Sequence, residues 1–268
     1  MLTLQLERFG RLSPEEKLAL SGINLRPRRL PARSDLSGES ATDSTVVLLA
    51  GIACRYVVLP NGRRHILAYL LPGDLCDRHT GDRVFTDHRI GTLSSVTVAS
   101  FFRDDIARLW HTFPQIARAF ELARAVEQAT LRQWLLGVGH RPALERTAHL
   151  LCELFTRLRA LGLVQGRTCE LELRQSDLAD ALGLSAVHLN RTLTQLRRRK
   201  IATFVRHQLT ILNWRALRSL CGFQSDYLFA GAPPGMDPVE DGPDGDIELS
   251  AVEHASSPSP EQKQPFPG

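Results

Sequence analysis

Apolar positions change their period partway along the chain. From about Leu30 to Phe102 they fall in short runs separated by turn residues, and from Arg103 onward they recur every three or four positions. The first pattern predicts strands and the second helices. VVLLAGIACRYVVLP and RRHILAYLL read as strands flanking Asn61-Gly62, a pair suited to a two-residue hairpin turn because both turn positions need positive φ. Leu71-Pro72-Gly73-Asp74 punctuates the return strand, and IGTLSSVTVASF supplies two more. Short strands at this spacing predict a sandwich or jelly roll. Ahead of them, Ser13-Pro14-Glu15-Glu16 is a helix start through about Leu20: Ser13 caps, Pro14 suits the first helical position and Glu16 closes a capping box.

In the helical half, Asp104 to Trp110 is a short helix and Pro114 opens a long one reaching about Gly137. Ile116, Phe120, Ala123, Thr130 and Trp134 lie on one side of it. A narrow apolar stripe on a long helix often pairs with its own copy, which makes a homodimer the preferred reading; packing on its own domain is the alternative. Gly137-Val138-Gly139 is expected to break the helix and mark a hinge. Pro142 starts a further helix that ends near Leu161-Gly162.

Residues Gln175 to Gln195, QSDLADALGLSAVHLNRTLTQ, carry the most specific pattern. Leu178, Ala179 and Leu182 form the inner face of one helix. Gly183 stands where the chain turns with positive φ, Leu184 plugs the corner, and Ser185 caps a second helix whose Leu189, Leu193 and Leu196 face inward. The small Ala179 lets the two helices approach. This is a helix-turn-helix, and its second helix is the expected reader of the major groove. Its outer face carries Ala186, Val187, His188, Asn190, Arg191 and Gln195. Arginine can fork onto guanine, and asparagine or glutamine onto adenine. Ser185 and the helix N-terminus suit a phosphate. Arg197, Arg198, Arg199 and Lys200 follow at the helix end; such a run is usually merely solvated, but here it is placed to hold DNA backbone. Ile201 to Leu212 reads as a two-stranded wing with Arg206 and His207 near its tip. The expected DNA-binding set is therefore Ser185, Ala186, Val187, His188, Asn190, Arg191, Gln195, Arg197, Arg198, Arg199, Lys200 and Arg206.

Charge strengthens this picture. The net charge is only +4, but Gly222 to Gly268 holds nine acids (Asp226, Asp237, Glu240, Asp241, Asp244, Asp246, Glu248, Glu253, Glu261) against Lys263, so the preceding residues are far more basic than the total suggests. A basic body suits a polyanionic partner. The tail, rich in Pro, Gly, Ser and acids, is expected to stay unfolded, as an inert extension or as a competitor with DNA for the basic face. Five cysteines, Cys54, Cys76, Cys152, Cys169 and Cys221, include no C-x-x-C pair and imply neither a disulfide framework nor a four-thiolate zinc site. No apolar run of about 18 residues predicts a membrane span, and the N-terminus lacks the pattern of a signal peptide, so a cytoplasmic protein is expected.

Three stretches together resemble the Crp/Fnr superfamily of bacterial transcription regulators: LLAGIACRYVVLPNGRRHILAYLLPGDLCD, GHRPALERTAHLLCELFTRLRALG and DLADALGLSAVHLNRTLTQLRRRK. The resemblance spans roughly Leu6 to Leu217, in the order β-roll sensor, dimerisation helix, winged helix. It implies a homodimer on a pseudo-palindromic operator of double-stranded DNA, with RNA polymerase as protein partner. It also exposes departures. Cyclic-nucleotide sensors of this superfamily use a cassette opening Gly-Glu and closing Arg-Ser/Thr-Ala, whereas here the stretch is GDLCDRHTGDRVFTDHRIGTLSS, with Arg89 followed by Ile90 and Gly91. No cysteine precedes Cys54, which removes the N-terminal ligands of the iron–sulfur branch. Val187 stands where many relatives carry Glu, so a contact to cytosine N4 is lost. Arg174 stands where relatives often place a capping Thr.

The fold class expected is therefore α+β: a β-roll effector or sensor-like domain over residues 1–112, a dimerisation helix over 113–138, a winged helix-turn-helix over 139–221 and an acidic tail over 222–268. The function expected is sequence-specific regulation of transcription, with no catalytic site, no metal and no cofactor assigned, and with an effector other than cyclic AMP. Two alternatives remain in view. Cys76 and His79, close together after the hairpin, are ligand types for a haem- or thiol-based sensor of redox state or gas. A metal-dependent cupin-like enzyme would use a His-x-His pair, which His65, His79 and His88 do not provide.

Overall fold

The computed structural model describes residues 2–23, 25–36, 44–76 and 87–229. Two helices, α1 (Leu2–Glu7) and α2 (Pro14–Ser21), precede strands β1 (Arg26–Leu30), β2 (Ser44–Ala50), β3 (Ala53–Val58), β4 (Arg64–Leu70), β5 (Arg89–Thr92) and β6 (Val96–Phe102). Then come α3 (Arg103–Thr112), α4 (Pro114–His140), α5 (Ala143–Ala160), β7 (Val164–Gln165), β8 (Thr168–Glu170), α6 (Gln175–Leu182), α7 (Ala186–Arg198), β9 (Ala202–Val205), β10 (Gln208–Ile211) and α8 (Trp214–Cys221). The α+β class is as expected. Ser13 forms the anticipated capping box, accepting from Glu16 N while Glu16 accepts from Ser13 N.

The β-roll consists of two antiparallel sheets in the orders β1-β6-β2 and β4-β3-β5. Gly51 turns the chain between β2 and β3 at φ 83, where a Cβ would stand 2.3 Å from the Ser95 carbonyl oxygen. The hairpin differs from the expected two-residue turn. Val58 pairs with Arg64, so five residues make the connection. Gly62 N donates to Leu59 O, and of Asn61 and Gly62 only Gly62 has positive φ. Pro60 is the reason: its fixed φ suits the first central position of an ordinary turn, which leaves Asn61 right-handed and gives Gly62 the left-handed step.

Helix α4 runs unbroken through Gly137-Val138-Gly139 to His140, correcting the expected break. Glycine weakens a helix by about 1 kcal/mol without forbidding it. Arg141 leaves the helix with ψ 132 because Pro142 disfavours the helical conformation of the residue before it. The stripe Ile116, Phe120, Ala123, Thr130, Trp134 is also corrected. Ile116 and Phe120 are buried within the protomer against Leu2, Leu6 and Phe101, Ala123 packs on the same cluster, and Trp134 meets Tyr69 edge to face at 5.6 Å. A different line, Leu131, Leu135 and Val138, is the exposed one.

The DNA-binding half and the β-roll share one apolar cluster, in which Ile52, Ile66, Tyr69 and Leu93 join Leu150, Leu154 and Leu178. Charge reinforces this contact. Asp177 is fully buried, and its carboxylate accepts from Arg33 at 2.7 and 2.8 Å, from Arg64 at 2.6 Å and from the backbone of Arg174 at 2.8 Å. Arg64 also holds Asp180 at 2.9 Å. These guanidiniums keep the Asp177 carboxyl below its ordinary range despite burial.

The expected tail boundary moves as well. Phe223, Ser225 and Leu228 are buried, so residues 222–229 belong to the folded body. Residues 230–268, with the rest of the acidic run, lie outside the described residues. Tyr227 stacks on His149 of α5, and burial, followed by the Arg141 charge, pushes the His149 imidazole down to about 4. The folded chain therefore favours neutral His149. Its contribution is complete above the unfolded value of about 6.5 and is lost as pH falls toward about 4, by up to ~1.4 kcal/mol per unit. Glu153, held above its ordinary value by burial, acts in the opposite sense as pH falls. Denaturant titrations of wild type and His149→Gln between pH 7 and pH 4 isolate the histidine: wild-type stability should fall the more steeply, and parallel curves would refute the assignment.

Candidate nucleic-acid interface

The reading helix is placed by its own sequence. Gly183 takes φ 62 and ends α6, donating to Ala179 O. Leu184 is buried at the corner, and Ser185 accepts from His188 N at 3.2 Å as the cap of α7. Leu189, Leu193 and Leu196 are buried as expected. So is Thr192, whose hydroxyl returns to His188 O. Arg174 supplies no side-chain cap for α6, which leaves that cap to Asp177, whose carboxylate accepts from Arg174 N.

What remains outside is the set the sequence singled out. Ser185, Ala186, Val187, His188, Asn190, Arg191, Gln195, Arg197, Arg198, Arg199, Lys200 and Arg206 are all exposed. At 100° per residue, Val187, Arg191 and Arg198 share the outermost line of α7, with Asn190 and Arg197 on one flank and His188 and Gln195 on the other. Among the described residues, Arg191, Arg197, Arg198, Arg199 and Lys200 make no ion pair. Arg33, Arg64 and Arg157, by contrast, are tied to acids. The basic residues thus divide into an internal, neutralised group and an outward, uncompensated one.

The wing is larger than expected. β7 and β8 add to β9 and β10 in the order β7-β8-β10-β9. Strands of two and three residues are too short to show a period of two. Arg206 and His207 turn the β9–β10 hairpin with φ 49 and 64, and His207 Nδ1 lies 2.9 Å from Leu173 O. Gln175 was missed by sequence reasoning: its side chain accepts from Asn190 at 3.4 Å, placing the first turn of α6 beside the reading face. No residue-type pattern marks it, because the contact joins two helices.

In the stretch corresponding to the nucleotide cassette, Asp74 is fully engaged. Oδ1 accepts from Gln5 at 2.8 Å, and Oδ2 accepts from Leu71 N at 2.8 Å and Arg157 at 2.9 Å. Cys76 is buried in the β-roll core beside Leu36 and Val46, while His79 lies outside the described residues. Among the described residues no three His, Cys, Asp or Glu side chains cluster as a metal site, and no helix is long and apolar enough to cross a membrane.

A β-roll joined through a long helix to a winged helix-turn-helix with an exposed, uncompensated basic face defines a DNA-binding regulator built on a sensor-type domain. Residues 145–220 match the Crp-like helix-turn-helix domain. The chain is 32% identical to the transcriptional activatory protein AadR of Rhodopseudomonas palustris over 205 residues, covering 76% of this chain and 84% of that protein. It is 31% identical to the nitrogen fixation regulation protein FixK of Bradyrhizobium diazoefficiens, covering 66% and 73%. In fold it is similar to the solved structure of FixK2 from Bradyrhizobium japonicum, with a TM-score of 0.63 at 24% identity over 73% of this chain and 96% of that one. The chain belongs to the Crp/Fnr superfamily of transcription regulators.

Proposed function

We propose that this regulator acts in the cytoplasm as a homodimer that sets two copies of α7 into successive major grooves of a pseudo-palindromic operator. The observation that carries the reading is the outward face of α7, where Arg191 and Asn190 stand exposed above a buried leucine seam and four cations follow at the helix end. In this reading Arg191 and Asn190 read base edges, Gln195 and His188 flank them, and Val187 leaves its base pair without a carboxylate acceptor. Ser185, the run Arg197 to Lys200 and Arg206 hold phosphates. Dimerisation is assigned to Leu131, Leu135 and Val138 on α4, which are 55%, 73% and 48% exposed and spaced as successive seam positions of paired helices. RNA polymerase is the protein partner implied. Selection of bound sequences from random DNA tests the core of the proposal: two inverted half-sites about one helical turn apart should emerge, and the absence of any enriched sequence would refute it.

The effector assigned is not cyclic AMP. The carboxylate of Asp74 is already occupied by Gln5, Leu71 and Arg157, and Arg89 is followed by Ile90 and Gly91. Calorimetry with cyclic AMP should give no binding heat, and millimolar nucleotide should leave operator affinity unchanged. One-to-one binding at micromolar concentration would overturn this assignment.

A further inference from the structure

The match to the DNA-binding domain ends at Leu220, yet the chain stays packed for several residues beyond it. Gly222, left-handed at φ 61, turns the backbone away from α8. Phe223 then meets His149 of α5 and Trp214 of α8 edge to face, at 5.2 and 6.1 Å. In the 3-10 turn Asp226–Leu228, the Tyr227 hydroxyl donates to Glu153 Oε2 at 3.1 Å. The same oxygen accepts from Trp134 of α4 at 3.0 Å. A buried carboxylate on the DNA-binding domain is thus shared between the long helix and the C-terminal segment.

The segment continues past this point. Leu228 is fully buried and walls a cavity of about 310 Å³ between the β-roll, α1 and α4. The ring of Phe229 lies 5.7 Å from the guanidinium of Arg8 at the end of α1, which faces Phe9 at the same distance. Residues 223–229 therefore touch the DNA-binding domain, the long helix and the N-terminal helix in turn. Helix α4 lies against the 3-10 turn as well as against α5. Without the segment, α4 would meet the DNA-binding domain directly through the link at Arg141-Pro142 and the bonds Trp134–Glu153 and Arg146–Val138 O, and indirectly through the β-roll, which shares an apolar cluster and the Asp177 ion pairs with that domain.

This matters because a dimer reads half-site spacing through the position of each DNA-binding domain relative to the helix that pairs the subunits. We infer that Tyr227 and Leu228, with Phe223, are positioning residues for DNA recognition: the segment Gly222–Phe229 is an internal clamp that fixes the DNA-binding domain on α4 and so sets the half-site spacing the dimer accepts. The inference rests on the dimeric operator reading above. In the clamped arrangement the outer face of α7 is open, so binding competence is built into the fold. Loosening the clamp lowers the effective concentration of the second DNA-binding domain at its half-site without altering the contacts either domain makes.

The test uses the full chain carrying Tyr227→Ala with Leu228→Ala, and the conservative variant Leu228→Met, which keeps the Tyr227 hydroxyl on Glu153. Affinity is measured on the selected operator, on versions one base pair longer and shorter, and on a single half-site, with melting temperature recorded alongside. The alanine pair should weaken the full operator by about tenfold, leave the half-site within about twofold, and flatten the preference for the native spacing. The conservative variant should retain both affinity and spacing preference. Full-site and half-site affinity falling together with the melting temperature would overturn the clamp, because the segment would then only stabilise the domain. Unchanged affinities in both variants would overturn it equally. Failure of the wild-type protein to bind any operator would instead remove the DNA-binding reading, and the clamp with it.

Discussion

Leu135→Glu should turn the protein into a monomer and weaken binding to the full operator by about a hundredfold or more, while leaving the fold intact. Leu135 is 73% exposed near the end of α4, in line with Leu131 and Val138 at steps of four and three residues. Those are the intervals at which two helices interlock side chains across a seam. Placing a carboxylate there requires two like charges to be desolvated at one contact, which costs several kcal/mol. A monomer retains one reading helix and loses the linked second half-site. Light scattering reads the result directly, as 29.9 kDa in place of twice that mass. Leu18→Glu is the matched control, because Leu18 of α2 is equally exposed but lies off the stripe. A Leu135→Glu protein that remains dimeric would refute the seam. Phe120→Glu, the substitution suggested by the sequence pattern alone, lands in the protomer's own core and should destabilise the fold instead.

That contrast shows where the sequence is legible. The helix-turn-helix can be read because everything that specifies it is local: a left-handed Gly183, a capping Ser185 and leucines at fixed intervals, all within one short stretch. The β-roll is legible from alternation and from Gly51, Gly62 and Gly73 at its corners. Helix α4 is harder. Ile116, Phe120 and Trp134 satisfy the helical period as well as Leu131, Leu135 and Val138 do, and periodicity does not say which line the rest of the chain covers. That choice is made by Leu2 and Leu6 and by Tyr69, which reach α4 only through the tertiary fold. The bond of Arg33 to Asp177 spans 144 residues, and that of Arg64 to Asp177 spans 113, so no local pattern announces either. The C-terminal clamp was hidden because its four aromatic and aliphatic anchors sit at the head of a run otherwise made of Pro, Gly, Ser and acids. Gly137 and Gly139 misled in the other direction, since a helix with ample packing on either side of them tolerates the modest propensity cost.

The assignment of roles along α7 makes the sharpest functional claim. Arg191 stands at the centre of the exposed line, six residues past the cap, with no acid to compensate it among the described residues. Replacing it by Ala should cost about 1–3 kcal/mol on the selected operator and relax the preference at one base pair per half-site, because a bidentate guanine contact is lost. Random DNA should be bound nearly as before. Arg197 and Arg199 sit at the helix end, and in this reading they hold the duplex backbone and carry no sequence information. Arg197→Ala should weaken operator and random DNA alike and lower the slope of log affinity against log salt by about one unit per lost phosphate contact. Arg198 shares the line of Arg191 but lies about 10 Å further along the axis, and it is grouped with the backbone contacts for that reason. Arg108→Ala is the control for net charge, since it removes one exposed cation of α3, paired with Asp105, in the β-roll half of the chain. Salt titrations of each variant on operator and scrambled DNA separate the classes. Equal losses on both DNAs for Arg191→Ala would make it a phosphate clamp and move base reading to Asn190 and Gln195. If neither Arg191→Ala nor Arg197→Ala changes binding to any DNA, α7 is not the surface that meets the operator.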